Sequence, residues 1–171
     1  DLEDFKHQHL QPFIRAAVLI PIIARETPTL LLTERTAQLS AHAGQIAFPG
    51  GKIEATDAGP LEAALRETHE EIGLTAAYID ALGFLPPYST ATGFHITPAV
   101  ALVRPGFTLT PDHAEVADVF EVPLAFLMDV NNHRIDSRIW RGRERHFYAM
   151  PYEHRYIWGA TAGMIRSLQR R

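Results

Sequence analysis

Glu67, Glu70 and Glu71 crowd three carboxylates into five residues, downstream of the glycine pair Gly50-Gly51. That combination could hold a divalent metal ion against a diphosphate, because hard cations such as Mg²⁺ and Mn²⁺ prefer carboxylate oxygen and readily bridge protein to phosphate. At about 100° per residue, Glu67 and Glu71 fall about 40° apart on a helix, with Glu70 roughly 60 to 100° further round. All three are expected to point away from the apolar stripe of Leu61, Leu65 and Ile72. Like charges at i and i+4 repel, and acids near the C-terminal end of a helix oppose its macrodipole, so a cation would offset a local cost. A run of acids is by itself usually a solvated face, here with Arg66 pairing to Glu62 or Glu70. Pro49-Gly50-Gly51 changes the balance, since a turn with little side-chain bulk lets a carbonyl approach a metal and N–H groups approach a phosphate.

The helix that must carry these acids has readable ends. Gly59 can cap it, Pro60 suits the first helical position, Glu62 lies in the first turn, and Gly73 suits the left-handed residue that closes it. Leu61, Ala64, Leu65, Thr68 and Ile72 recur at the spacing of a buried stripe, which predicts a helix over residues 60–72.

The run Gly51, five residues, Asp57, eight residues, then Arg66-Glu67-Thr68-His69-Glu70-Glu71-Ile72-Gly73-Leu74 resembles the Nudix box, the loop-helix-loop signature of hydrolases that cut a nucleoside diphosphate linked to another moiety. It differs by Asp57 for Glu, by one extra residue before Arg66, and by Thr68 for an aliphatic side chain. Further stretches resemble the subfamily that hydrolyses coenzyme A: Leu31-Leu32-Thr33 with Arg35-Thr36, Gly44, Phe48-Pro49-Gly50-Gly51, Gly93 to Pro98, Glu115-Val116, and Tyr156 to Gly163. Thr36 stands where that subfamily has Ser or Ala. Ser40 stands where it has Arg, which removes a cation suited to a phosphate or carboxylate.

The resemblance implies an α/β (α+β) fold, a Nudix-type αβα sandwich with a mixed β-sheet. It implies Mg²⁺ or Mn²⁺ held by Glu67, Glu71 and the carbonyl of Gly51, with Glu70 at a second metal or holding a water. Arg66 would orient the acids by salt bridges, and the general base would be Glu115 or a glutamate of the box such as Glu70. Arg35 and Lys52 would contact phosphate, with Phe48 and Gly50 beside them. Coenzyme A would yield 4′-phosphopantetheine and adenosine 3′,5′-bisphosphate. A Nudix enzyme for ADP-ribose, dinucleotides or sugar nucleotides keeps the same metal site, and Ser40 favours it. A Nudix-fold isomerase would abandon part of the box, and a ligand-sensing module would not need it intact.

The chain has 171 residues, 46% hydrophobic and 21% charged, which fits one globular domain over 1–171 with residues 1–14 as an N-terminal extension. A net charge of −4 gives no overall pull toward nucleic acid or anionic membrane. No cysteine is present, so disulfides, thiolate metal sites and cysteine nucleophiles are excluded. The apolar run Ala16 to Ala24 contains Pro21 and is too short to span a bilayer. A cytoplasmic enzyme acting on a small nucleotide is expected, and a homodimer is left open.

Hydrophobic patterning predicts strands at 15–24, 29–35, 45–48, 81–85, 96–103 and 116–122, a short helix at 123–128 and a closing helix at 159–169. A hairpin is expected at 133–140 and 144–150, turning around Arg141-Gly142-Arg143. Its arginines, Arg138, Arg141, Arg143 and Arg145, read as a solvated edge more than as a phosphate contact. Tyr88 to Phe94 reads as a loop lining the substrate cleft. His42, His95, His113 and His154 read as surface or loop residues, not ligands.

Overall fold

The computed structural model describes residues 13–38 and 44–171. Ser40 and His42, and most of the expected N-terminal extension, lie outside them. Strand β1 (Ile14–Ile23) sits at the centre of an eight-stranded sheet. Its alternation explains that position: Ala17 and Leu19 turn to one face, Val18 and Ile20 to the other, and all four are buried. On one side β1 runs parallel to β7 (Phe94–Val103).

The other edge of β1 is divided. Ala16, Ala17 and Val18 pair with β4 (Gly50–Lys52), whereas Ile22 and Ile23 pair with β2 (Thr29–Arg35), both antiparallel. Strand β2 continues outward to β3 (Ile46–Ala47) and β8 (Val116–Pro123). Strands β5 (Ile79–Phe84) and β6 (Tyr88–Ser89) pair antiparallel with β7. The sheet is therefore mixed, as expected.

Helix α1 (Pro60–Ile72) packs on the Ala17/Leu19 face, where Ala63 and Ala64 meet Ala99 and Ala101. Small residues on both sides let helix and sheet approach closely. On the Val18/Ile20 face lie α2 (Leu124–Met128) and α3 (Ala160–Gln169), bringing Leu127, Met164 and Ile165 against Leu30, Leu32 and Val122. Helices on both faces make the α+β sandwich. A three-stranded antiparallel sheet, β9 (Arg134–Trp140), β10 (Arg143–Tyr152) and β11 (Arg155–Trp158), joins that second side through Met150 and Ile157.

Helix α1 starts and stops as read, with Gly59 as cap, Pro60 in the first turn and Gly73 left-handed at φ 74°. Its buried face differs from the expected stripe: Ala63 and Glu71 are buried, while Leu61 and Leu65 are half-covered. The hairpin turns on Arg141-Gly142 alone, both at positive φ, because Trp140 already pairs with Arg143. Three short strands had no sequence signal: β4, two of whose three residues are glycine, β6, and β11 after the Glu153-His154 turn. No helix among the described residues is long and apolar enough to cross a membrane.

Candidate active site

The site begins at the C-terminal end of α1, whose last carbonyls have no partners within the helix. A loop from elsewhere in the chain supplies them. The Thr110 N–H donates to the Ile72 carbonyl at 2.8 Å, and the Asp112 N–H donates to the Glu71 carbonyl at 2.8 Å. Gly73 permits this approach, because a Cβ there would lie 2.9 Å from the Thr110 nitrogen. The loop then turns back on itself, with the Glu115 N–H on the Asp112 carbonyl at 3.0 Å, and ties to the end of β2 through the Thr36 N–H on the Glu115 carbonyl at 3.0 Å. Glu115 thereby stands near enough to Glu67 and Glu71 for its charge to raise the proton affinity of both.

The three acids of the helix do not share one solvated side, which corrects the helical-wheel expectation. Glu71 is only 6% exposed, because the covering loop and β4 close over the face that the wheel leaves open. Burial, then the charges of Glu67 and Glu115, push its carboxyl up to about 8, against the opposing pull of Arg35 and the Gly50 N–H. Glu67, with its side chain 17% exposed, is also raised by burial, with Arg66 opposing. Glu70 points outward at 57% exposure and reaches Arg66 at 3.5 Å.

Arg66 is the hub that sets these orientations. Its Nε and Nη2 each donate to Asp57 at 2.9 Å, its Nη1 donates to Glu67 at 2.9 Å, and Nη2 also reaches the Lys52 carbonyl at 3.2 Å. Asp57 in turn accepts the Glu54 N–H at 2.8 Å, and Arg66 first, then this bond, hold its carboxyl down at about 2. The loop before the helix folds back so that Asp57 grips the arginine from outside the helix. Thr68 is accommodated because its fully buried hydroxyl donates to the Ala64 carbonyl at 2.7 Å.

Gly51 lies against the helix so tightly that a Cβ would stand 2.6 Å from the Glu67 carboxyl carbon. A Cβ on Gly50 would stand 2.3 Å from the Ala17 carbonyl oxygen. On the far side of these glycines opens a cleft of about 660 Å³, and Arg35, Phe48, Gly50, Gly51 and Lys52 all line it. Glu67 and Glu71 do not line it; they abut its glycine wall from the helix side. Tyr88 to Thr92 line the cleft too, as the loop reading expected.

The arginine hairpin requires a correction. Arg138 and Arg145, with Trp140, Phe147 and Trp158, form a wall of the same cleft, so this face is not simply a solvated edge. The signal was present as period-two alternation, which places Arg138 and Trp140 on one face of β9. Its significance depends on β11, for which the sequence carries no strand signal of its own.

No three His, Asp or Glu side chains among the described residues converge closely enough to enclose an ion as they are placed, and the carboxylate of Glu67 is turned to Arg66. The donor chemistry nevertheless suits a divalent cation: carboxylates that raise one another's proton affinity are relieved by positive charge, and the Gly51 backbone adjoins them.

Comparison with known proteins agrees with this geometry. The NUDIX domain model matches residues 13–141. An uncharacterized Nudix hydrolase NudL from Enterobacter sp. (strain 638) is 43% identical over 155 residues, covering 90% of this chain and 80% of the relative. Its counterpart from Citrobacter koseri is 40% identical over 177 aligned positions, covering 98% and 92%. Among solved structures, a C. elegans Ap4A hydrolase binary complex shares the fold at a TM-score of 0.55 and 18% identity, over 64% of this chain and 80% of that one. The NUDIX domain of Shewanella oneidensis NrtR complexed with ADP ribose does so at 0.51 and 19%, over 73% and 84%. The matched region contains the glycine pair, the Arg66 hub and the carboxylates, and the protein therefore belongs to the NUDIX domain family and is a Nudix pyrophosphohydrolase of nucleoside diphosphate-linked substrates.

Proposed function

We propose that this Nudix hydrolase cuts the diphosphate of coenzyme A or its derivatives, releasing 4′-phosphopantetheine, or its acyl form, and adenosine 3′,5′-bisphosphate. The observation that carries this reading is a single cleft lined both by Arg35, Lys52 and the glycine pair and by the arginines and aromatic rings of the small sheet. Its volume lies within the range of roughly 300–1,000 Å³ usual for small-molecule sites.

Nudix hydrolases generally use divalent metals such as Mg²⁺. Glu67, Glu71 and the Gly51 carbonyl would hold Mg²⁺ or Mn²⁺ here, with Glu70 at a second metal or a water. Bound there, the ion would neutralise diphosphate oxygens and acidify the attacking water. Arg66 holds Glu67 in orientation and is itself pinned by Asp57. Glu115 is assigned as the general base, with Glu70 the alternative: both are exposed, but the charge of Glu115 acts on Glu67 and Glu71 alike, whereas that of Glu70 acts on Glu67. Glu115 takes a proton from water as the new P–O bond forms and the bridging P–O bond breaks. Arg35 and Lys52 meet the phosphates, and Phe48 and Gly50 shape the wall beside them.

Ser40 supports a second reading, in which ADP-ribose, a dinucleotide or a sugar nucleotide is cut at the same site. Incubating the protein with Mg²⁺ or Mn²⁺ and coenzyme A, ADP-ribose, NADH or diadenosine polyphosphates, with mass spectrometry of products, separates the two. Phosphopantetheine from coenzyme A in the wild type but not in Glu71→Gln is expected. Turnover of only another diphosphate replaces the substrate, and turnover of none indicates a binding module.

A further inference from the structure

Strand β9 is an outer strand of the small sheet: β10 pairs with one of its edges, and no strand among the described residues pairs with the other. Its register with β10 is unbroken from Trp140 to Arg134, without bulge or proline. Such an edge is a template for a further strand. Strand β5 also lies at an edge and exposes Leu82 and Phe84, but its ladder slips between Ala81 and Gly83, which interrupts the edge. On β9, Ile139 at 77% and Ile135 at 66% are the most exposed large apolar side chains of the described residues, and they share one face with Ser137 between them. Arg134, Asp136, Arg138 and Trp140 share the other face.

The Arg141-Gly142 turn fixes which backbone groups of β9 remain free. In a two-residue hairpin the closing pair, here Trp140 and Arg143, exchanges both hydrogen bonds, and bonded pairs then recur at every second residue. Arg134, Asp136, Arg138 and Trp140 therefore direct their N–H and C=O groups to β10, and Ile135, Ser137 and Ile139 direct theirs outward. A second copy laid antiparallel along this edge, with a twofold axis through Ser137, pairs all of these outward groups and engages all seven residues of the strand. Ile135 of each copy then meets Ile139 of the other. On the opposite face Asp136 meets Arg138, and Arg134 meets Trp140. An axis through Asp136 or Arg138 would instead set like charges face to face. Asp136 is already oriented by Arg134 at 3.1 Å and by the Tyr156 hydroxyl, and a carboxylate has room for a further donor.

We propose that the protein forms a twofold dimer in which β9 pairs with β9 of a second copy, joining two three-stranded sheets into one of six strands. Because Arg138 and Trp140 line the cleft, each copy then adds its Asp136 and Arg134 to the cleft wall of the other. Both free edges are used in the pairing, so the assembly closes at two.

Sedimentation of the full chain tests this, with a dimer expected for the wild type at tens of micromolar. Ser137→Pro removes only an outward N–H and leaves the β9–β10 ladder intact, so it should give a monomer. Ile139→Lys, which charges the apolar face, should do the same. Arg138→Asp sets like charges across the axis and should weaken the dimer about tenfold or more, and adding Asp136→Arg, which exchanges the charges in both copies, should restore it. In a chain without cysteine, Ser137→Cys should cross-link the copies on mild oxidation, and Glu26→Cys on an exposed loop should not. A wild type that stays monomeric overturns the proposal and leaves the edge to another protein. A dimer that survives Ile139→Lys and Arg138→Asp overturns it too, whether or not Ser137→Pro folds, as does cross-linking of Glu26→Cys as fast as Ser137→Cys.

Discussion

Folding moves the proton affinities of Glu71 and Asp57 in opposite directions, up to about 8 and down to about 2. The consequences for stability have opposite signs. Glu71 contributes most while protonated, below its ordinary 4.5, and that contribution is lost as pH rises through about 8. Asp57 contributes above its ordinary 3.8 and loses that contribution as pH falls through about 2. Metal-free protein should therefore lose stability across the window from 4.5 to about 8. Denaturant unfolding at a series of pH values checks this: Glu71→Gln should flatten the decline, and Mg²⁺ should oppose it in the wild type. An identical slope in the variant would show that another group is responsible. The acids themselves were legible in the sequence, because residue type and helical spacing suffice to group them. The burial of Glu71 was not, since the loop around Thr110 to Glu115 that covers it is brought in by tertiary packing alone.

At the scale of elements, the connection from β4 into α1 acts as a brace. Asp57 grips Arg66 twice, Arg66 holds Glu67, and Gly51 confines Glu67 from the other side. Asp57→Asn keeps the shape and removes the charge, so it should lower the melting temperature by a few degrees and cut kcat by about tenfold as Glu67 loses its orientation. Gly51→Ala separates activity from folding more sharply. The added Cβ would meet the Glu67 carboxyl carbon at 2.6 Å, and a carboxylate at the end of a flexible side chain can swing away. Kinetics and thermal melts should show activity falling by on the order of a hundredfold with the fold retained. A variant that loses its fold and its activity together would place the tightness elsewhere. The ends of α1 could be read from Gly59-Pro60 and Gly73 because caps are local chemistry. Strand β4 could not, since its place depends on pairing with β1, and the arginine face of β9 and β10 gained its meaning only from the third strand beside it.

Across the whole molecule, the division of β1's edge between β4 and β2 sets the glycine pair against β1, where it lines the cleft. The last helix reaches into the same cleft. Gly163 on α3 lies against Tyr88 on β6, where an added Cβ would stand 2.6 Å from the ring's Cε2 and 3.0 Å from its hydroxyl oxygen. Tyr88 both lines the cleft and packs on the central core, so its ring connects the C-terminal helix to the cleft wall. Gly163→Ala would force the ring toward the cleft or lift the helix, at a cost of about 1–3 kcal/mol typical of overpacking. The kinetic signature expected is a KM raised by about tenfold with kcat nearly unchanged, because the displaced ring lines the cleft proposed to take the substrate and the carboxylates do not. Truncating the ring provides the internal control. If Tyr88 transmits the effect, Gly163→Ala should add little in a Tyr88→Ala background, a strong departure from additivity. Full additivity in that double-mutant cycle would mean that the glycine acts through the packing of α3 itself, and the coupling between the last helix and the cleft wall would have to run by another route.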